Sequence, residues 1–373
     1  NYWTYGIEPR LSTHHRLLGI ETVLKAGLRA HYEIQKRRQV NGDSPKARSG
    51  ATVEHNDRLT DAYSGFLQYR FLLGLWTVTP SARVEHVISR RTDHLTGASG
   101  KTDFTEIIPG FGITFNPSAR TTLFAGFHRG FAPPRTEDLI ITSAGSGAAT
   151  FSDVDPEKSW NYELGVRTSP HAALDVNATL FRNEFRNLIA VGSVAGGATP
   201  LAQAEALFEG LEFSGRVGSR ELFGTSGDIS LQVIHTFLPT ARQKTPFIRV
   251  ADKLPVPGSR AGNRMPYASE HQTTMITSFA DLAGWKIQFE MVYVGKQFSD
   301  FANTEVSSPD GQFGAIGGYT LFNVTFDCVV EAWGTTVFLK VKNLGNREYI
   351  ADRTRGIRFG IPRLAQAGIQ YRL

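Results

Sequence analysis

Residues 364–373 form one uninterrupted alternation, in which Ala365, Ala367, Ile369, Tyr371 and Leu373 interleave with Leu364, Gln366, Gly368, Gln370 and Arg372. Side chains two apart lie on one face of a strand, so this stretch has an apolar face and a mostly polar one. The same period recurs upstream: Leu24, Ala26, Leu28, Ala30, Tyr32 and Ile34 alternate with Lys25, Gly27, Arg29, His31 and Glu33. Trp285, Ile287, Phe289, Met291 and Tyr293 alternate with Lys286, Gln288 and Glu290, and Val337, Leu339 and Val341 with Lys340 and Lys342. About 15 such runs are predicted, near residues 2–11, 22–38, 59–73, 75–90, 104–116, 121–131, 159–169, 172–190, 204–218, 227–238, 266–280, 284–299, 315–331, 335–350 and 363–373.

The connections carry the next step. Gly74, Asn116 to Arg120, Ser169 to Ala172, Asp281 to Gly284 and Glu331 to Gly334 are tight, whereas those over 39–58, 91–103, 132–158, 191–203, 239–265, 300–314 and 351–362 are long. Short and long alternate, apart from moderate turns near 12–21 and 219–226. An up-and-down antiparallel transmembrane β-barrel generates this order, with short turns at one membrane face and long loops at the other. Trp76, Trp285 and Trp333 stand at or beside short turns and Trp160 opens a strand on the loop side, the placement of interfacial aromatic girdles. An odd strand number, and an opening Asn1-Tyr2-Trp3 with no signal peptide, lead to the expectation of a processed or partial barrel.

Composition narrows the function classes. The chain has 373 residues, 41% hydrophobic and 20% charged, with a net charge of +5. No run of about 20 apolar residues could make a spanning helix, and no long basic block could track a nucleic-acid backbone. One cysteine, Cys328, excludes an internal disulfide, a cysteine zinc cluster and a CxxC pair. The histidines include His14-His15 but no metal-binding spacing, and neither a G-x-S-x-G element nor a P-loop is present. No resident cofactor and no enzymatic activity are expected; a passive porin-like channel and, behind it, an outer-membrane hydrolase are readings to be weighed against the motifs.

Specific motifs then enter. Val341-Lys342-Asn343-Leu344-Gly345-Asn346-Arg347-Glu348-Tyr349, followed by Gly360-Ile361-Pro362-Arg363 and the final strand, resembles the end of TonB-dependent outer-membrane receptors. Pro156-Glu157-Lys158-Ser159, Tyr162-Glu163-Leu164-Gly165, Gly210-Leu211-Glu212-Phe213-Ser214 and Gly262-Asn263-Arg264-Met265-Pro266-Tyr267-Ala268 match the same family in order. Asn1-Tyr2-Trp3, Trp76-Thr77-Val78-Thr79-Pro80 and Gln297-Phe298 with Ala302-Asn303-Thr304 make the likeness strongest to the ferric dicitrate receptors of that family. Phe359, where proline is usual, and Leu373, where an aromatic residue is usual, depart from its pattern.

The resemblance implies a barrel of about 22 strands closed by a plug, of which this chain is the C-terminal part, with the plug and about seven strands lying outside it. It implies the bacterial outer membrane, a ferric chelate (ferric citrate or another siderophore) as ligand, lipid around the wall, and a TonB complex acting through the plug. A compact anionic chelate calls for converging guanidinium and amide donors. The candidates are Arg58, by its position in Asn56-Asp57-Arg58; Arg129 and Arg135, flanking Gly130-Phe131-Ala132-Pro133-Pro134; and Ser193, Gln297 and Asn303 in loops.

Overall fold

The computed structural model describes residues 1–136, 140–142, 149–151, 154–190, 202–250, 252–281 and 283–371. Its main feature is one antiparallel sheet of 17 segments. Tyr2–Ile7 and Arg10–Leu17 both pair with Ile20–Asn41 and make one pass, broken at Glu8-Pro9, and Ile248–Arg249 is a short loop strand. Among the described residues 15 passes therefore remain, matching the number of alternating runs. They are β1 (Tyr2–Ile7 with Arg10–Leu17), β2 (Ile20–Asn41), β3 (Ala51–Leu73), β4 (Trp76–Asp93), β5 (Ser99–Ser118), β6 (Thr121–Ala132), β7 (Glu157–His171) and β8 (Leu174–Ala190). The series continues with β9 (Ala202–Gly218), β10 (Asp228–Gln243), β11 (His271–Ala280), β12 (Trp285–Val294), β13 (Tyr319–Val330), β14 (Thr335–Lys342) and β15 (Leu364–Tyr371). Each pairs with the next in chain order, as an up-and-down meander requires. The only α-helix among the described residues is Ser219–Phe223, and no helix there is long and apolar enough to cross a membrane.

Register shows why the alternation matters. Leu28, Gly65, Val84 and Ile107 form one row across β2 to β5, and Leu28, Val84 and Ile107 stand 67%, 44% and 60% exposed. The next row, on the opposite face, is Arg29, Ser64, Glu85 and Glu106. An apolar face left this open in a large sheet has the character of a surface suited to lipid. Among the described residues the wall strands β1 to β7 contribute no buried hydrophobic cluster. The main one lies under the loops, where Phe247 and Phe301 stack at 4.0 Å among Ala202, Ala204, Ala206, Ala241, Val256 and Met265. Girdle aromatics fall as expected, with Trp76 stacked on Phe115 at 4.4 Å beside the short turns and Trp160 beside Tyr162 and Phe127 toward the loop side.

Several boundaries differ from the sequence expectation. The moderate turn near 12–21 is a two-residue turn, Leu18-Gly19, with φ of 51° and 80°, the doubly positive geometry that follows the twist of a hairpin. The long connections at 39–58 and 91–103 shrink to 42–50 and 94–98, because β2 is 22 residues and β3 is 23 residues long. Crossing a membrane takes about 9–11 tilted residues, so these strands project well beyond it. The run at 266–280 begins only at His271, since Tyr267 packs in the preceding loop, and that at 335–350 stops at Lys342. There Asn343 turns to φ 49° and its amide binds the backbone of Arg347 and Ile361.

One seam is incomplete. β5 and β6 pair from Ser118/Thr121 up to Gly110/His128 and no further, although β5 continues to Ser99 and β6 to Ala132. Pro109 stands where the ladder stops, and proline has no N–H to donate. Above it the strands part, and Glu106 on β5 is reached across the gap by Arg129 of β6, at 2.8 Å, and by Lys158 of β7.

Candidate ligand-binding site

The polar face is richest where β2, β3 and β4 rise past the membrane band. Gln35, Arg58 and Arg91 form one row and Arg37, Asn56 and Asp93 the next, with Glu54 beyond. Asn56, Arg58, Arg91 and Asp93 are all at most 8% exposed, so charge and amide groups are concentrated in a partly desolvated patch. The Arg58 guanidinium donates to Asn56 Oδ1 at 2.8 Å, Glu54 Oε1 at 2.7 Å and Gln35 Oε1 at 3.3 Å. Arg37 pairs with Glu54 at 2.6 Å, and Arg91 lies 3.9 Å from Asp93. Burial pushes the Glu54 carboxyl up, but the Asn56 amide and the guanidinium groups of Arg37 and Arg58 outweigh it and hold its pKa below the usual glutamate value. Among the described residues three guanidinium groups, Arg37, Arg58 and Arg91, share this patch with two carboxylates, Glu54 and Asp93. Planar forked donors in low dielectric are suited to carboxylates and other oxyanions.

The six residues named from sequence do not converge. Arg58 stands in β3 and not in a loop: its even phase, shared with Glu54 and Asn56, continues the strand past the point where the outer face ceases to be apolar. Arg129 is on the other face of the sheet, in phase with Phe127 and Trp160, with its guanidinium on Glu106 and the Ile107 carbonyl. Arg135 is exposed, one residue after the buried Pro134, and Ser193 lies outside the described residues.

Gln297 and Asn303 share the loop after β12. Gln297 is 8% exposed and opens a short ladder with Ile316, while Asn303 accepts from Arg264 N at 2.6 Å and donates to Arg264 O at 2.8 Å. Asn303, at φ 57°, thus pins that loop to the one preceding β11. Tyr267 does the same for the loop after β14, donating to Asp352 at 3.0 Å and accepting from Arg353 N at 3.1 Å. Gln35 and Arg37 lie inside the run expected at 22–38, where nothing local marks them as site residues, whereas Arg91 was missed because the run at 75–90 was closed one residue too early. The signal was present in the phase of Ser89, Arg91 and Asp93, which continues β4.

Known proteins share this architecture. The ferric citrate transporter FecA in its unliganded form superposes with a TM-score of 0.78 at 22% identity, covering 99% of this chain and 54% of that one. The siderophore receptor PiuA from Acinetobacter baumannii gives 0.75 at 15% identity, covering 99% and 56%. The ferric yersiniabactin uptake receptor FyuA from Yersinia pestis gives 0.63 at 16% identity, covering 98% and 52%. At these identities the likeness is one of fold, and the chain spans about half the length of each of these structures. A sequence model described as TonB dependent receptor-like, beta-barrel matches residues 1–344. That family is an outer-membrane family of receptors and transporters, not enzymes, and this chain belongs to it.

Proposed function

We propose that this chain is the C-terminal part of the wall of a bacterial outer-membrane receptor for a compact anionic ferric chelate, ferric citrate or a siderophore of similar charge. Uptake is energised by a TonB complex acting on a plug held inside the barrel. The observation that carries the reading is the row of Gln35, Arg58 and Arg91 on the polar face, in which both guanidinium groups are buried beside an amide. Iron arrives as cargo inside its chelate, so the wall needs oxyanion donors and no metal ligands of its own.

The mechanism is binding followed by gated passage, with no bond made or broken by the protein. Arg58 is held in its fork geometry by Asn56, Gln35 and Glu54, so little side-chain entropy remains to be lost when a carboxylate docks. The test is ferric dicitrate binding to the full-length receptor, read by tryptophan quenching, with Arg58→Gln and Arg91→Gln. Hydrogen bonds to charged groups are each worth about 1.5–3 kcal/mol, so either variant is expected to bind about 10- to 100-fold more weakly. Unchanged affinity in both variants, with barrels still resistant to unfolding in cold SDS, would remove this patch from the site.

A further inference from the structure

On the outward face of β6 and β7 the side chains pass from aliphatic through aromatic to cationic, and on β8 from aliphatic directly to alternating charge. β6 runs Ala125, Phe127, Arg129; β7 runs Leu164, Tyr162, Trp160, Lys158; β8 runs Leu180, Arg182, Glu184, Arg186. Register aligns them into rows: Ala125, Leu164, Leu180; then Phe127, Tyr162, Arg182; then Arg129, Trp160, Glu184; then Phe131, Lys158, Arg186. Leu164 and Leu180 are 58% and 55% exposed, and Phe127, Trp160 and Tyr162 lie within 6.2–6.4 Å of one another. Aliphatic, then aromatic, then cationic is the order met on leaving a bilayer through a headgroup layer that carries negative charge.

The cations are concentrated in this sector. On β3 to β5 the outward charges pair one to one, Arg90 with Asp61 and Lys101 with Asp103 at 3.6 Å. Here the outward-phase Arg129 and Lys158 share one carboxylate, Glu106, which comes from the polar-face row of β5 and meets them at the parted seam, and Arg186 is exposed with no ion pair among the described residues. Arg129, Lys158, Ser159, Trp160, Glu184 and Arg186 line a hollow of about 250 Å³ beside the parted seam.

We infer that this hollow binds the phosphorylated headgroup of an outer-leaflet lipid, with its phosphate between Lys158 and Arg186, Trp160 against its sugar or glycerol, and its acyl chains over Tyr162, Leu164 and Leu180. The inference rests on the chain's lying in a membrane and not on the identity of the chelate. The test titrates the full-length receptor in neutral detergent with bisphosphorylated lipid A, and with phosphatidylethanolamine, counting bound lipid by native mass spectrometry. A basic side chain near an anionic lipid surface is worth a factor of about five, so Lys158→Gln should weaken lipid A binding about five-fold and Lys158→Gln with Arg186→Gln about 30-fold. Lys340→Gln, on the polar face, should change nothing. Equal retention of lipid A by the double variant, equal retention of phosphatidylethanolamine by the parent, or displacement of lipid A by millimolar inorganic phosphate would each overturn the assignment.

Discussion

An arginine scan down the outward column of β7 tests the sidedness of the wall. Tyr162, Leu164 and Val166 lie on one face and Glu163 on the other. A strand residue rises about 3.4 Å, and a tilt of about 40° leaves roughly 2.6 Å along the membrane normal, or about 5 Å per same-face step. With Tyr162 in the girdle and an apolar band about 25 Å tall, Leu164 sits about 5 Å inside it and Val166 about 10 Å inside, close to the midplane. Arginine costs about 2–4 kcal/mol at the midplane and about 0–1 kcal/mol at the interface. Val166→Arg should therefore lose about 2–4 kcal/mol, Leu164→Arg an intermediate amount, and Tyr162→Arg, after allowance for the lost ring, the least. Glu163→Arg should cost under about 0.5 kcal/mol as a wet surface change. Reversible urea unfolding of the receptor in phosphatidylcholine vesicles gives these values directly. Equal losses for Val166→Arg and Glu163→Arg would refute the placement of the apolar face in lipid.

Other expectations concern the parts outside the membrane. Phe247→Ala removes a fully buried ring stacked on Phe301 and should destabilise the loop core by about 3–5 kcal/mol, seen as faster hydrogen exchange over 244–265 while exchange in β3 stays slow. Tyr267→Phe leaves Asp352 and Arg353 N without their shared partner and should cost about 1–3 kcal/mol locally, read as protease sensitivity of 350–359. Because the Glu54 pKa is lowered on folding, its contribution to stability is present above the ordinary value of 4.5 and fades as pH falls through the folded value. Exchange at 51–58 should accelerate in that acid range, and Glu54→Gln should flatten the dependence. Leu18→Asn should raise stability by about 1 kcal/mol in urea unfolding, since asparagine tolerates the left-handed backbone that leucine holds there at φ 51°.

What could be read from sequence follows from where water is. Inside the membrane band one face meets hydrocarbon and the other the hydrated interior, so Leu24 to Ile34 alternate clearly and the number and order of passes were legible. Above it both faces are wet: Lys36 and Arg38 alternate with Gln35, Arg37 and Gln39, all polar, and the strand looks like a loop. Arg91 was hidden by this, and Arg58, though named as a candidate, was placed in a loop. Arg129 was open to better reading, since its phase with Phe127 already sets it on the outward face. Asn303 was not, because its partners in Arg264 lie 39 positions away in the chain. A side-chain amide satisfying distant backbone groups leaves no local pattern.

The pins made by Asn303 and Tyr267 bear on how such receptors acquire new specificities. Residues 244–270, 295–318 and 343–363 belong to different hairpins, yet each supplies backbone that another needs. Transplanting one of them alone from a relative would orphan hydrogen-bonding groups in the other two, whereas the stretch at 42–50 makes no such bonds to them among the described residues. Recombination that succeeds should move the three as a single cassette and leave the shorter outer tips to diversify one by one.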